Sequence, residues 1–263
     1  MVAGTDLPPF FFYTLAILVG MILGSFNSVL VGRIPDRLSI GGRSRCPHCD
    51  AQIRNIDNIP ILGYLLLGGR CRRCKAKISI RYVILEIVTA GLVLVPLFKF
   101  DRVFECIAWL FFVVLAVALS AIDFEHHRLP DPLTGSLYLS GLVFLTLDSF
   151  AHHNLSRLNH AFIASIALGS FYWIVNFLSK GGMGMGDVKL ATSIGLFCGY
   201  ISMSTVYIAS MIGFALGSLV GVGLIVAKKA NRKSALPFGP FMLMGAIASI
   251  YVTPWISHVR GLS

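Results

Sequence analysis

Four of the six cysteines fall into two CxxC pairs, CPHC (Cys46 and Cys49) and CRRC (Cys71 and Cys74), with 21 residues between them. Each knuckle sets two sulfurs on a tight turn, and a hairpin between the knuckles brings the turns together around a tetrahedral ion, the pattern of a four-thiolate zinc ribbon. Two disulfides or a redox CxxC are the competing readings. Disulfides are disfavoured on the reducing side of a membrane, where charge places this segment, and a redox motif needs one pair, not two. His48, between two of the ligands, reads as a turn residue, and Cys106 and Cys198, within or at the edge of apolar runs, read as packing residues.

Carboxylates are the second group that could do chemistry, because an acid at or near membrane depth is costly to place there. The candidates are Glu86, Asp123, Glu125, Asp131, Asp148 and Asp187. Asp148, at the outer end of an apolar run, is expected to be solvated, and Glu125 to sit in a charged loop beside His126, His127 and Arg128. Asp131 precedes Pro132 and an apolar run, the pattern of an N-cap followed by proline at the first helical position. Glu86 lies near Arg81, with which it could pair, or it could serve a cofactor site. Asp123 ends one apolar run in ALSAIDFEHHRLPD and Asp187 opens another in GMGDVKL. On pattern alone a solvated helix end and a helix cap are the commoner uses. Gly184 and Gly186 tilt the balance for Asp187, since they clear side chains from both sides of it and a cap does not require that.

The elements that must position these groups are membrane helices. Hydrophobic residues make up 56% of the 263-residue chain and charged residues 13%, with a mean hydropathy of +0.79, whereas a soluble domain has about a quarter of its residues charged. A hydrocarbon core of about 30 Å needs roughly 20 apolar residues per helix. The candidate spans are 10–31, 82–98, 103–122, 133–150, 161–178, 188–203, 205–227 and 238–257, with a tight break expected near Gly199–Ser202. The fold expected is therefore an all-α polytopic membrane protein of about eight helices, with a small zinc-ribbon insertion at 33–81 after the first span and a bundle at 82–257. The first run lacks a basic leader and is too long for a cleaved signal peptide, so it reads as a retained span.

Basic residues set the expected orientation. Loops 33–81, 123–132, 179–189 and 228–237 hold eleven, one, two and four of the 22 Lys and Arg, against Lys99, Arg102, Arg157 and Arg260 on the other side. The richer side is expected to be cytoplasmic and both termini external. A net charge of +10 then points to anionic lipid headgroups; the sequence carries no nucleic-acid-binding signature.

The segments GSFNSVLVGRIP, DNIPILGYLLLGGRCRRC, ISIRYVILE, IDFEHHRLPD, GMGDVKL and PFGPF, in this order and with the two CxxC pairs, resemble the type IV prepilin peptidases, membrane aspartyl proteases of the GxGD type. The resemblance covers residues 24 to 241. It implies leader cleavage of pilin or pseudopilin precursors at the cytoplasmic face of the bacterial inner membrane, with Asp123 and Asp187 as the catalytic pair. It also implies methylation of the new N-terminus from S-adenosylmethionine, as many members perform it, through the zinc-bearing module. Val83 and Gly63 stand where the family commonly has Pro and Ser. Two carboxyls held close share one proton, so one can act as base on water while the other polarises the scissile carbonyl. The leader of such a substrate is basic, and Glu125 and Asp131 could offset the basic face locally.

Two other classes compete. A transporter would place acids near the midplane on broken helices with inverted repeats, and this chain has its acids at one edge and no visible repeat. A membrane-anchored zinc-ribbon binding module would leave the GxGD turn and the second aspartate without a role. The sequence sets neither the individual substrate nor the oligomeric state.

Overall fold

A computed structural model of the chain describes residues 9–179, 183–228 and 236–259. Gly181 and Gly182 of the glycine-rich loop, and most of the basic loop 228–237, lie outside the described residues. Among the described residues the regular structure is helical apart from two isolated bridges. It comprises α1 (Pro9–Arg33), a 3-10 turn (Asn55–Asn58), the short α2 (Leu62–Leu66), α3 (Arg81–Lys99), α4 (Val103–His126), α5 (Asp131–Ala151), α6 (Leu155–Leu178), α7 (Met185–Ile201), α8 (Met203–Val226) and α9 (Gly239–Val259).

Each of the eight expected spans is a helix. Among the described residues α1, α3, α4, α5, α6 and α8 are each long and apolar enough to cross a membrane. At 17 residues, α7 would extend only about 26 Å. The break between α7 and α8 falls where expected: Ser202 leaves helical geometry at φ −170°, and its hydroxyl accepts from the Thr205 N–H at 3.1 Å, capping α8.

The chain divides into two compact units, Met1–Asp101 with Val113–Ala118, and Arg102–Phe112 with Leu119–Ser263. In the first, α1 and α3 pack closely through Gly20 and Gly24. A Cβ on Gly20 would stand 2.7 Å from the Ala90 Cα and one on Gly24 2.5 Å from the Glu86 Cα, so small residues four apart set this contact, as is common between membrane helices. The buried Asn27 amide donates to Thr89 Oγ1 at 3.3 Å and to the Val114 carbonyl at 3.0 Å.

In the second unit, Gly195 and Gly199 of α7 repeat the device against α6, where a Cβ on Gly195 would stand 2.6 Å from the Ala164 carbonyl oxygen. Trp109, Phe112 and Phe197 form its aromatic centre, all fully buried, with ring centroids 4.8 to 5.4 Å apart.

Three acids sit differently from expectation. Asp148 is wholly buried rather than solvated. Its Oδ2 accepts from the Tyr200 hydroxyl at 2.7 Å and from Arg102 at 3.2 Å, while Arg157 binds Glu105 through both guanidinium ends at 2.6 and 3.1 Å, donates to the Tyr200 carbonyl at 3.0 Å and covers the Tyr200 ring. Two acids and two arginines thus neutralise one another, tying α4, α5, α6 and α7 at one end. A linear reading missed this because the partners in the two pairs are 46 and 52 residues apart, and Glu105 drew no attention at all. Asp131 is not a side-chain cap: Pro130 holds the N-cap position, and Asp131, the first helical residue, binds Lys189 Nζ at 2.6 Å. Glu125, expected in a loop, occupies the last turn of α4.

Removing one member of a buried pair strands the other charge, at a cost of about 3–5 kcal/mol, whereas losing a single hydroxyl donor to a buried acceptor costs about 1–3 kcal/mol. Arg157→Ala is therefore expected to lower the thermal unfolding midpoint of the purified protein more than Tyr200→Phe. Arg157→Ala unfolding at the wild-type temperature would show that the network contributes nothing.

Candidate functional site

Asp123 and Asp187 are brought together in the second unit. Asp123 is one turn before the end of α4 and is buried. The helix stops because His127 adopts the left-handed conformation at φ 51°, and its N–H closes on the Asp123 carbonyl at 2.9 Å. Asp187 is the third residue of α7, half-buried, with Gly184 at the N-cap. Its carboxylate turns back to the Gly184 N–H and lies within electrostatic reach of Asp123. The turn back to the N-cap is what a helix-start acid does in half of a capping box; the neighbouring carboxylate is what a cap has no use for.

Three close approaches shape the surroundings. The Gly239 N–H, at the start of α9, donates to Asp123 Oδ2 at 3.1 Å. A Cβ on Gly239 would stand 2.9 Å from that oxygen and 3.2 Å from both Leu129 methyl carbons. A Cβ on Gly186 would stand 2.8 Å from Leu129 Cβ. Leu129, in the turn between α4 and α5, is thus clasped by two glycines from α7 and α9, and no side chain can be added at either without moving it. Among the described residues a Cβ on Gly184 would meet only the Asp187 carboxylate, at 3.4 Å, and the Gly186 N–H nitrogen, so that side is open among them. At the other end of the loop, the Asn176 amide of α6 donates to the Met183 carbonyl.

Two residues here were not singled out from the sequence. Gly239 lies in PFGPF, which carried the resemblance without any role. Tyr172 is buried within electrostatic reach of Asp187, its ring stacked on Phe214 and tilted against Phe238, with centroids 5.7 and 6.3 Å away; in a largely apolar stretch of α6, nothing marked it out. Asp131, through its ion pair, engages Lys189 two residues beyond Asp187, so its charge is less free to offset a basic face than expected.

In the first unit the four sulfurs of Cys46, Cys49, Cys71 and Cys74 lie within 4.8 Å of one another. Both knuckles are built alike. In each, the first cysteine accepts from a residue four positions on (Asp50 N–H at 2.9 Å, Lys75 N–H at 3.0 Å) and donates to one five positions on (Ala51 at 3.0 Å, Ala76 at 2.8 Å). Asp50 and Lys75 take positive φ of 51° and 61° to close the turns, and single antiparallel bridges, Arg45 with Gln52 and Arg70 with Lys77, flank them. Cys46 and Cys74 Sγ are 3.9 Å apart, close to the edge of about 3.8 Å in a tetrahedron with metal–sulfur bonds of about 2.3 Å. The N–H groups of Cys74 and Arg73 hold the Cys71 thiol down to about 6, favouring the thiolate that a metal binds. The cluster can hold a metal ion. His48 is exposed and is not one of the converging groups, and Cys106 and Cys198 are fully buried, as packing residues should be.

Glu86 does not need Arg81 to account for its burial. Its Oε2 accepts from the Ile61 N–H at 2.7 Å, and a Ser25 hydrogen bond also reaches the carboxylate. Ile61 has φ 61° and ψ −51°, an uncommon conformation for a β-branched residue; the Glu86 carboxylate is what meets its N–H. Next to it, the absent side chain of Gly63 lets the Asp57 carbonyl approach, which explains why serine does not stand there.

Residues 18–100 match the Bacterial Peptidase A24 N-terminal domain and residues 110–222 the Type IV leader peptidase family. Among curated proteins the chain is 32% identical to the prepilin leader peptidase/N-methyltransferase of Aeromonas hydrophila over 94% of each chain. It is 33% identical to the type 4 prepilin-like proteins leader peptide-processing enzyme of Escherichia coli O78:H11, over 90% of this chain and 93% of that one. It is 31% identical to the prepilin leader peptidase/N-methyltransferase of Pseudomonas aeruginosa, over 92% and 91%. No solved structure matches. With near-complete coverage on both sides and both domains matched in order, the chain belongs to the prepilin leader peptidase/N-methyltransferase family.

Proposed function

We propose that this protein is an aspartic endopeptidase of the bacterial inner membrane that removes the leader from prepilin-like precursors, with Asp123 and Asp187 as its catalytic pair. The observation that carries the reading is the pairing itself: two acids 64 positions apart come within electrostatic reach at the ends of two apolar helices, beside backbone stripped of side chains at 184, 186 and 239.

The chemistry follows from sharing one proton between two carboxyls. The ionised partner takes a proton from water as the water oxygen attacks the scissile carbonyl carbon. The protonated partner donates to the carbonyl oxygen, where charge develops. Collapse of the tetrahedral species breaks the C–N bond, the amine leaves with a proton from the pair, and the leader gains a carboxylate. The open side at Gly184 would let an extended substrate backbone reach Asp187, and the Gly239 N–H keeps the Asp123 carboxylate aimed.

By the distribution of Lys and Arg, the site and the loop 33–81 face the cytoplasm and both termini lie outside. We assign the metal of the four-cysteine cluster as structural zinc, held by Cys46, Cys49, Cys71 and Cys74 in a module folding largely through it, since a segment of this size has little core of its own. The family's second activity would methylate the amine just released, with S-adenosylmethionine supplying an electrophilic methyl group. Because the Glu86 carboxylate is engaged by Ile61, its part in that step would be to hold the 55–66 segment in place, not to touch the donor.

Purified protein incubated with a precursor carrying a basic leader and an apolar helix tests the reading. Asp123→Asn and Asp187→Asn are each expected to lower cleavage by roughly a thousandfold or more, the scale seen when one member of a catalytic unit is lost. Asp131→Asn is the control, since an exposed pair such as Asp131 with Lys189 is worth about 0–1 kcal/mol; its cleavage should stay within a few-fold of wild type. Substantial cleavage by either of the first two variants, normalised to folded protein, would reduce Asp187 to a helix-start acid. Elemental analysis provides a separate check on the module: one zinc per chain is expected, lost in Cys71→Ser, and full zinc in that variant would reject the four-thiolate site.

A further inference from the structure

Residues 55–66 present an apolar surface with no covering element among the described residues. Leu62, Leu65 and Leu66 share one face of α2, at the spacing of neighbours on a helix, and are 54%, 64% and 68% exposed; Ile56 and Ile59 extend the surface at 56% and 42%. Such a patch on a soluble loop needs an occupant, and its depth and its charged surroundings say which.

Depth comes from two contacts. The Glu86 carboxylate that receives the Ile61 N–H sits five residues inside α3, about 7.5 Å along its axis from Arg81. Glu86 in turn packs against Gly24 of α1, nine residues or about 13 Å before that helix ends at Arg33. The segment is therefore tied to the flank of α3 through Glu86, within the first turns of that helix. Arg72 fixes it from the other side, gripping Asp57 through Nε and Nη2 at 2.8 and 2.6 Å.

Charge points the same way. Residues 33–81 contain eleven Lys and Arg, three Asp and no Glu, an excess of eight positive charges. An open recess of about 340 Å³ next to the apolar surface is lined by Arg43, Gln52, Ile53, Arg54, Asn55 and Ile56. Basic side chains around an apolar helical face tied to the flank of a membrane helix are the arrangement of an interfacial segment, whose apolar face lies about 5–10 Å into the headgroup and acyl boundary.

We propose that residues 55–66 form a lipid-binding strap: the Leu62, Leu65 and Leu66 face enters the headgroup and acyl boundary of the membrane, and Arg43 and Arg54, which line the recess, bind anionic lipid headgroups. This goes beyond the proteolytic reading and does not depend on it. The strap would hold the four-cysteine cluster against the membrane surface, with Glu86 as the fixed point between strap and helix.

Site-specific photo-crosslinking in the full-length protein reads this directly. Leu65 and Leu66 are replaced, one at a time, by p-benzoylphenylalanine, with Leu15 of α1 as the lipid-facing reference and the exposed Arg45 as the aqueous one. The protein is irradiated in vesicles of phosphatidylethanolamine and phosphatidylglycerol. Phospholipid adducts are expected at 65 and 66 with a yield comparable to position 15, and only background at 45. Replacing phosphatidylglycerol by phosphatidylcholine should lower the yield at 66. Lipid adducts at 15 but not at 65 or 66 would overturn the proposal. So would lipid adducts at 66 that give way to peptide adducts when precursor is added, since the surface would then be a substrate groove. A yield at 66 indifferent to anionic lipid would remove the arginines from it.

Discussion

A carboxylate in an apolar helix end must be held by something, because leaving it unpaired away from water is among the most expensive arrangements a protein can make. At Asp123 that something is one backbone N–H, from Gly239 at the start of α9, 3.1 Å from Oδ2. A side chain at 239 would have to displace that oxygen or Leu129, which packs against the same glycine and also meets Gly186, the residue before Asp187. The contact thus links three helix ends, those of α4, α7 and α9, through one leucine. Asp123 and Asp187 sit on two of those ends.

The same rule governs the rest of the molecule. Wherever a charge is buried, a specific partner accounts for it, and that partner joins elements distant in sequence. Glu86 takes the Ile61 N–H and so sets the 55–66 segment beside α3. Asp148, Glu105, Arg102 and Arg157 cancel one another around Tyr200 and tie the opposite ends of the helices that bear Asp123 and Asp187. Between these polar contacts the helices approach through glycine pairs, Gly20 with Gly24 and Gly195 with Gly199, since lipid offers no hydrophobic force to drive helix on helix.

The helices and the four-cysteine cluster were legible in the sequence because both depend on local signals: a run of apolar residues long enough for a bilayer, and two knuckles whose turns are closed by bonds four and five residues apart. The aspartates were legible as two acids at one membrane edge, and as a catalytic pair only through the resemblance, because the pattern of each alone suits a helix terminus. What the sequence did not reveal depends on partners far along the chain. Asp148 reads as a solvated end until Tyr200 and Arg102 are seen against it, Asp131 reads as a cap until Lys189 is, and Tyr172 is one more aromatic in an apolar helix until α7 brings Asp187 near. Gly239 was quoted in a motif, yet a glycine's function is what approaches it, and that is a fact of tertiary structure.

Gly239→Ala therefore tests the arrangement most directly. Alanine keeps the N–H, and its Cβ meets the ends of two side chains and no backbone atom, so the protein should fold and insert; that Cβ must, however, displace the Asp123 carboxylate or Leu129. Displacing a catalytic group by about 1 Å can cost on the order of a hundredfold, and a loss of precursor cleavage of that order, per folded molecule in membranes, is the result this structure predicts. Cleavage at the wild-type rate would mean that the Gly239 contact does not position Asp123 for catalysis, and the account built on it would be wrong.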